Sequence, residues 1–439
     1  MPQIKNFNLR IIVRGAKLLF IKYKSSKALI DIQWAFISLS MSAFLNFIIR
    51  ILIGKDLGVS VFGLYTLTFT IYMFAAQFAN FGIGSALMKY ISEYDEENVY
   101  VKKIVSAGMA SSLIMSSIMA IILYFLSDVI AIYLFHNPDM GFLIKLTSFC
   151  IPFLAIQKSV LGALNGLRKM FYYAIINIIL NLFILVATFI LVKYINMGVI
   201  GATLGFVVPT ILVGIGSLFL IKNNLDINEL FNSTFKMLTL FGFYVMIGNS
   251  ISTLNTQIDT LLIGVFLNDT QVGYYAVAAM LIQGIILIPS AIQIRTGPTL
   301  SYLSKKNDID GIKKAILNVI KNTLILMLFI SVLLIISGRY LIDLFFTNEF
   351  SAAYIPLIIL TIGYSIYSCF VSIGSVFASV GKVKLSFKIN FVCMLINIIL
   401  NIILIPIMGI IGAAIATTIS LIITTLINMY ILKHVLNNL

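Results

Sequence analysis

Arg50, Lys158, Asp259 and Arg295 each stand inside an apolar stretch long enough to cross a bilayer as a helix. Charge at that depth is unfavourable unless it faces a partner, water or a ligand, so each is a candidate functional residue. A guanidinium presents a planar fork of donors that matches phosphate oxygens, and an ammonium presents a compact charge. A chamber lined by Arg295, Lys158 and Arg50 would therefore favour an anionic ligand, phosphate above all. Arg295 leads the three, because about ten residues separate it from the Lys305–Lys306 cluster. Arg50, Lys158 and Lys89 lie nearer helix ends, where a long side chain also reaches the head groups. Asp259, and Asp31 at the start of the first apolar stretch, are the carboxylates available for coupling to an ion.

Polar residues accompany these charges at helical spacing. Ser38, Ser42, Asn46 and Arg50 recur every four residues, and Asn249, Ser252, Thr256 and Asp259 follow at three, four and three. Each set lies along one side of a helix. Gln77 and Asn80 add polar groups to the second apolar stretch, and Gln283, Ser290 and Gln293 to the eighth. Such faces avoid lipid and meet each other or water. Hydrogen bonding in a static bundle would use some of them; two matching stripes suit a water-filled central cavity better.

Other chemistries find little support. There is no Walker loop, no His-Glu-x-x-His and no Gly-x-Ser-x-Gly. Asp308-Ile309-Asp310 has the spacing of a metal-binding acidic motif but stands in a short loop, where a solvated acidic turn is the simpler reading. Asn268-Asp269-Thr270 fits a glycosylation tripeptide, a pattern common by chance. Cys150, Cys369 and Cys393 all lie in apolar runs and read as small buried hydrophobes. His136 and His434 are isolated, so no metal site and no cofactor are expected. The net charge of +14 does not indicate nucleic acid, because the basic residues sit between apolar runs.

The elements that must position these residues are membrane helices. The chain is 60% hydrophobic and 10% charged over 439 residues. Apolar runs predict twelve helices, at 28–53, 61–87, 104–126, 141–163, 171–193, 199–221, 238–267, 272–296, 315–336, 352–379, 385–408 and 410–432. The expected fold is all-α, with two pseudo-symmetric six-helix lobes. Residues 1–27 form a basic segment, 28–222 the first lobe, 223–237 a linker and 238–439 the second lobe. The basic segment suits either a helix on an anionic membrane surface or a topology signal; no cleavage site of a signal peptide follows it. Ile53–Tyr65 returns without a gap as Ile263–Tyr275, opening on Ile-Gly and closing on Gly-x-Tyr. Ile176–Asn181 is identical to Ile396–Asn401, and Gly198–Ala202 returns as Gly409–Ala413. Matches in the same order indicate a duplicated half. With six helices in each, the halves should be related by an axis along the membrane normal. Of the 30 Lys and Arg, 23 fall on the side of the termini and 5 on the other, which predicts cytoplasmic termini. Gly284, Pro289, Gly297 and Pro298 make 272–296 and its continuation the expected site of a bend.

Asn46–Gly54, Phe62-Gly63-Leu64-Tyr65, Phe81–Ala86 and Lys89-Tyr90-Ile91 resemble the opening of the polysaccharide-export branch of the MOP flippase superfamily, the Wzx-type repeat-unit flippases. The resemblance covers essentially the whole chain. It implies a V-shaped pair of lobes around a cationic cavity and alternating access that moves a polyprenyl-diphosphate-linked oligosaccharide between leaflets. On that reading Arg295, Lys158, Arg50, Asn46, Ser42, Gln77, Asn80, Asn249, Ser252, Thr256 and Gln283 line the cavity. The implied partners are the lipid-linked oligosaccharide, membrane lipids and polysaccharide assembly proteins, in the cytoplasmic membrane. A cation-coupled multidrug exporter of the same superfamily is the alternative; it would favour an acidic cavity, with Asp31 or Asp259 as coupling carboxylate. A polymerase or membrane glycosyltransferase would need a larger outer loop or a catalytic domain.

Overall fold

Long apolar runs become helices here because a helix satisfies its backbone internally where lipid offers no partner. The computed structural model describes residues 27–95, 99–226, 229–230, 234–306 and 308–437, so the basic segment read over 1–27 lies outside them except for Lys27. The first half contains α1 (Lys27–Asn80), α2 (Ile83–Ile91), α3 (Val99–Val129), α4 (Asp139–Gly166), α5 (Met170–Phe189) and α6 (Gly198–Ser217). The second contains α7 (Thr234–Phe266), α8 (Asp269–Lys305), α9 (Ile309–Phe345), α10 (Tyr354–Val371), the single turn α11 (Val376–Ser379) and α12 (Val383–Asn437). No strand occurs among the described residues.

Ten of these helical stretches are long and apolar enough to span a membrane. Two of them, α1 and α12, run to 54 and 55 residues, at 1.5 Å per residue more than twice the roughly 30 Å apolar core of a bilayer. Each is broken at one glycine of positive φ, Gly58 (φ 78°) and Gly409 (φ 62°), so each makes two arms. The count of crossings is then the expected twelve. The connection expected between the helices at 28–53 and 61–87 is in fact this single residue, with helix on both sides of Gly58. Its repeat solves the same turn differently: α7 stops at Phe266, and the Asn268 side chain accepts from the Gln271 N–H at 3.0 Å to start α8.

The two repeated turns lie against each other. A Cβ on Gly63 would collide with the Asp269 carbonyl, and one on Gly273 with the Val59 carbonyl. Asn137 donates to Asp269 beside them. At this end both halves share one apolar core, in which Ile53, Phe62 and Leu67 pack with Ile263, Val272, Phe346 and Phe350. At the opposite end, where most lysines lie, the cores are separate. One is built on Ile83, Leu87, Val105, Val160 and Leu164, the other on Leu300, Ile312, Phe377, Ile389 and Leu432. The base of α7 joins the first of these through Leu238 and Phe241. We call this the basic end.

The eighth helix, where a bend is expected, is not interrupted. α8 runs as one helix through Pro289 and Pro298. The interrupted helix is its partner in the first half, where Phe81 (φ 45°) and Gly82 (φ 66°) separate α1 from α2. Gly82 allows this because α7 crosses there at its own glycine: a Cβ on Gly242 would strike the Phe81 carbonyl, and one on Gly82 the Gly242 carbonyl.

Candidate functional site

The side chains of the polar stripes gather at two places. The first is a chamber of about 360 Å³ between the halves, just below the shared core. Asn46, Arg50, Thr256, Asp259 and Gln283 line it, with Tyr65, Phe69, Tyr364 and Tyr367 as aromatic wall. α1 and the second arm beyond Gly58 supply one side, and α7, α8, α10 and α12 the other. The second place is a shallower, more open cleft of about 320 Å³ nearer the basic end, which takes Gln77, Asn80, Lys158 and Asn249. The sequence reading put these four in the same cavity as Arg50; the structure separates them.

Asp259 is buried on the second-half wall of the chamber. Its carboxylate accepts from the Tyr275 hydroxyl at 2.7 Å, the Thr417 hydroxyl at 2.6 Å and the Asn401 amide at 2.8 Å. Asn397 completes the cluster, donating to Thr417 at 3.4 Å and accepting from Asn401. Burial of an ion demands such donors, and the charge-assisted bonds fix three helices around one oxygen pair. Among the described residues no group of three or more His, Cys, Asp or Glu converges. The ligands of any cation at Asp259 would be neutral hydroxyl and amide oxygens beside one carboxylate.

Asn181 occupies on the first-half wall the place Asn401 holds on the second. Asn46 donates to it at 2.7 Å, and it donates to the Ser42 hydroxyl at 3.1 Å. Ser42 is thus a support for Asn46 rather than a lining group. Arg50 lines the chamber near Tyr65, and its guanidinium has no hydrogen-bond or ion-pair partner among the described residues. The halves meet across the chamber at Thr70 and Gln257, 3.5 Å apart.

Besides Ser42, three predicted residues lie outside both cavities. Arg295 is exposed on α8 toward the basic end, Ser252 is exposed on α7, and Asp31 is half-buried near the start of α1. Conversely, Tyr275, Asn397, Asn401, Thr417 and Asn181 escaped the sequence reading as site residues. Their signal was present, since both asparagines of each Ile-Asn-Ile-Ile-Leu-Asn repeat are polar residues at a spacing of four in an apolar helix.

With this geometry in view, known proteins give the comparison. The family model for polysaccharide biosynthesis proteins matches residues 29–295, and the MatE model matches residues 244–403. A Shigella flexneri protein named "Putative O-antigen transporter" is 24% identical over 351 residues, covering 77% of this chain and 81% of its own. "Probable flippase AglR" of Haloferax volcanii is 24% identical over 280 residues, 62% of this chain and 55% of its own. Among solved structures, the lipid II flippase MurJ in an inward closed conformation superposes with a TM-score of 0.70 at 23% identity, over 92% of this chain and 87% of that one. An inward-facing MATE-family multidrug transporter of the MOP superfamily also gives 0.70, at 15% identity, over 92% and 98%. These likenesses show that the chain shares its fold with those two transporters, a multi-pass architecture of long apolar helices.

Proposed function

We propose a function from one premise: this chain belongs to the polysaccharide biosynthesis protein family, whose model matches residues 29–295. The chain is a flippase of the MOP superfamily. Its substrate is a polyprenyl-diphosphate-linked oligosaccharide repeat unit, carried across the cytoplasmic membrane by alternating access for cell-surface polysaccharide. The lobes that rock are 28–222 and 238–439, joined by the linker 223–237, with both termini in the cytoplasm; the charge asymmetry supports this orientation. The family name and the relatives' names, one an O-antigen transporter and one a flippase, support the substrate class.

The observation that carries the reading is the chamber itself. It sits between lobes that share one core at one end and, at the other, have two cores, the first of which also takes in the base of α7. Its free charge is the guanidinium of Arg50, set beside amide and hydroxyl groups of Asn46, Thr256 and Gln283 and an aromatic wall. Arg50 holds the diphosphate, the amides and tyrosines take the sugar hydroxyls and ring faces, and the lipid tail stays in the bilayer. Arg295, exposed on α8 about ten residues before Lys305, meets the phosphate on its way in.

Asp259 serves as the coupling carboxylate. Its three donors hold it in the α7–α8–α12 junction, so any change in its occupancy is felt by all three helices. The MatE match over residues 244–403 favours a second reading, a cation-coupled multidrug exporter. A cationic drug would need a free carboxylate in the chamber. Asp259 is engaged with its own lobe, while Arg50 is not engaged at all, and this favours the anionic substrate. The test is complementation of a strain that lacks its repeat-unit flippase, beside a drug-resistance assay in a strain lacking its exporters. Restored surface polysaccharide with no gain in resistance is expected; resistance without polysaccharide would overturn the reading.

A further inference from the structure

The cleft near the basic end has a feature the chamber lacks: none of its polar side chains is engaged. Gln77, Asn80, Ser85, Lys158, Asn165 and Asn249 line it, and no side chain of the six bonds to another described residue. Lys158 has no acidic partner. Asn80 Oδ1 is buried without a partner. Lys158 stands eight residues before the end of α4, about 12 Å along the helix, so this is membrane depth. Unpaired polar groups are rare at that depth and mark ligand paths.

The backbone is arranged to the same end. The break at Phe81–Gly82 starts α2 inside the membrane, with Gly82 as an N-cap that makes no side-chain bond. Ala86 is the first residue of α2 whose N–H returns to the Gly82 carbonyl, at 3.1 Å, so the N–H groups of Ile83, Gly84 and Ser85 have no carbonyl of their own helix. Gly84 and Ser85 line the cleft. Gly84 and Gly162 let α2 and α4 touch backbone to backbone; a Cβ on Gly84 would lie 2.7 Å from the Lys158 carbonyl. This contact brings the ammonium of Lys158 to the same cleft as the free N–H groups. Helix N-termini and ammonium groups both favour an anion.

We propose that this cleft is a second binding site, separate from the central chamber, that holds the phosphoryl group of a membrane-anchored lipid. It rests on the flippase reading only for its role, as the place where the lipid diphosphate waits before the chamber. The chamber uses Tyr65–Met73 of the second arm and the cleft Gln77–Met88, so from Thr70 to Asn80 the phosphate would advance about 15 Å. The cleft also needs both lobes, since Asn249 comes from α7 and Gly242 of α7 pins the break. Parting the lobes at the basic end would dismantle it.

The test uses the full chain in nanodiscs with geranylgeranyl diphosphate as probe, titrated calorimetrically. Lys158→Gln should weaken binding about ten- to a hundred-fold, the range of one charge-assisted contact. Lys158→Arg should keep most of it, and Asn165→Leu should weaken it less than Lys158→Gln does. In the unmodified protein the probe should shield Lys158 from acylation, read by peptide mass spectrometry, which needs no variant to fold. Unchanged affinity in well-folded Lys158→Gln, or no shielding, overturns the site. Nanodiscs of phosphatidylcholine alone and with phosphatidylglycerol distinguish the sources. Competition by phosphatidylglycerol that disappears in Lys158→Gln identifies a phospholipid head group, and its absence identifies the isoprenyl diphosphate; either one keeps the phosphoryl site. Lys158-dependent probe binding in a protein that moves no lipid-linked oligosaccharide would leave the cleft standing and remove the flippase reading. Transport that depends on Arg50, with probe binding indifferent to Lys158, would do the reverse.

Discussion

The two lobes carry the same scaffold and opposite chemistry at its centre. The repeat aligns Ile49 with Asp259, Arg50 with Thr260, Tyr65 with Tyr275, Asn181 with Asn401 and Phe206 with Thr417. In the second lobe these positions make a buried carboxylate with three donors. In the first, Ile49 is core, and Phe206 packs edge-on against Phe69 and Tyr72 at 5.1 and 5.0 Å. Asn181, freed from a carboxylate, accepts from Asn46 instead. Two exchanges, Ile for Asp and Phe for Thr, thus convert an apolar junction into an anionic one. The charge the first lobe does carry, Arg50, is turned to the chamber. The duplicated fold has diverged: one lobe turns a cation to the chamber, and the other keeps a carboxylate hydrogen-bonded within itself.

The turns test whether the halves must touch. Gly63→Val and Gly273→Val each drive a side chain into a backbone carbonyl of the other half, which cannot yield as a side-chain tip can. Both should abolish most of the folded yield, measured by fluorescence-detected size exclusion. Gly58→Ala, at the break of α1 (φ 78°, ψ 176°), should cost only the strain of a backbone conformation that favours glycine, about 1–3 kcal/mol. Normal yield from either valine variant would show that the two turn copies do not support each other.

Next in size is the carboxylate. Asp259→Asn keeps the shape but sets one amide against the donors of Asn401 and Thr417. On the coupling role proposed for it, transport should fall about ten- to a hundred-fold, the range of one charge-assisted contact. Folded yield should fall far less. Transport near the parent level would return Asp259 to a purely structural place and make the two lobes alike in role.

The smallest effect separates the paired asparagines. Asn401→Leu removes a charge-assisted bond and should lower stability by about 1.5–3 kcal/mol. Asn181→Leu removes neutral bonds between helices and should lower it by about 0.6 kcal/mol. Thermal unfolding in detergent measures both. Equal losses would mean that Asp259 gains nothing from its asparagine that Asn46 does not gain from its own.

Much of this was legible in the sequence. Apolar run length gave the crossings, because a membrane helix must be both long and apolar, and the repeat gave the two lobes. Spacing gave the polar faces, since periodicity reports which side of a helix a residue occupies. It does not report what lies opposite at the same depth. Gln77, Asn80, Lys158 and Asn249 therefore read as part of the Arg50 cavity, although they line another. Arg295 read as the leading lining residue from charge and depth alone, whereas rotation about α8 leaves it exposed outside both cavities. The Asp259 cluster was missed because its donors come from α8 and α12, and only folding brings Tyr275, Asn401 and Thr417 to one point. Phe81-Gly82 carries no proline, so the interruption there is set by the crossing of Gly242, a tertiary cause. The prolines of α8, by contrast, stand in a helix that is not interrupted.

The central claim is that Arg50 holds the substrate's phosphate in the chamber. The most direct measurement is transfer of a fluorescent polyprenyl-diphosphate-linked oligosaccharide across proteoliposomes holding the full chain, compared at equal reconstitution. Arg50→Ala should lower the rate about ten- to a hundred-fold, the range of one charge-assisted contact. Arg50→Lys should recover part of it, since a compact charge lacks the fork, and Arg50→Glu should abolish it. Parent-level transfer by Arg50→Glu would contradict the claim.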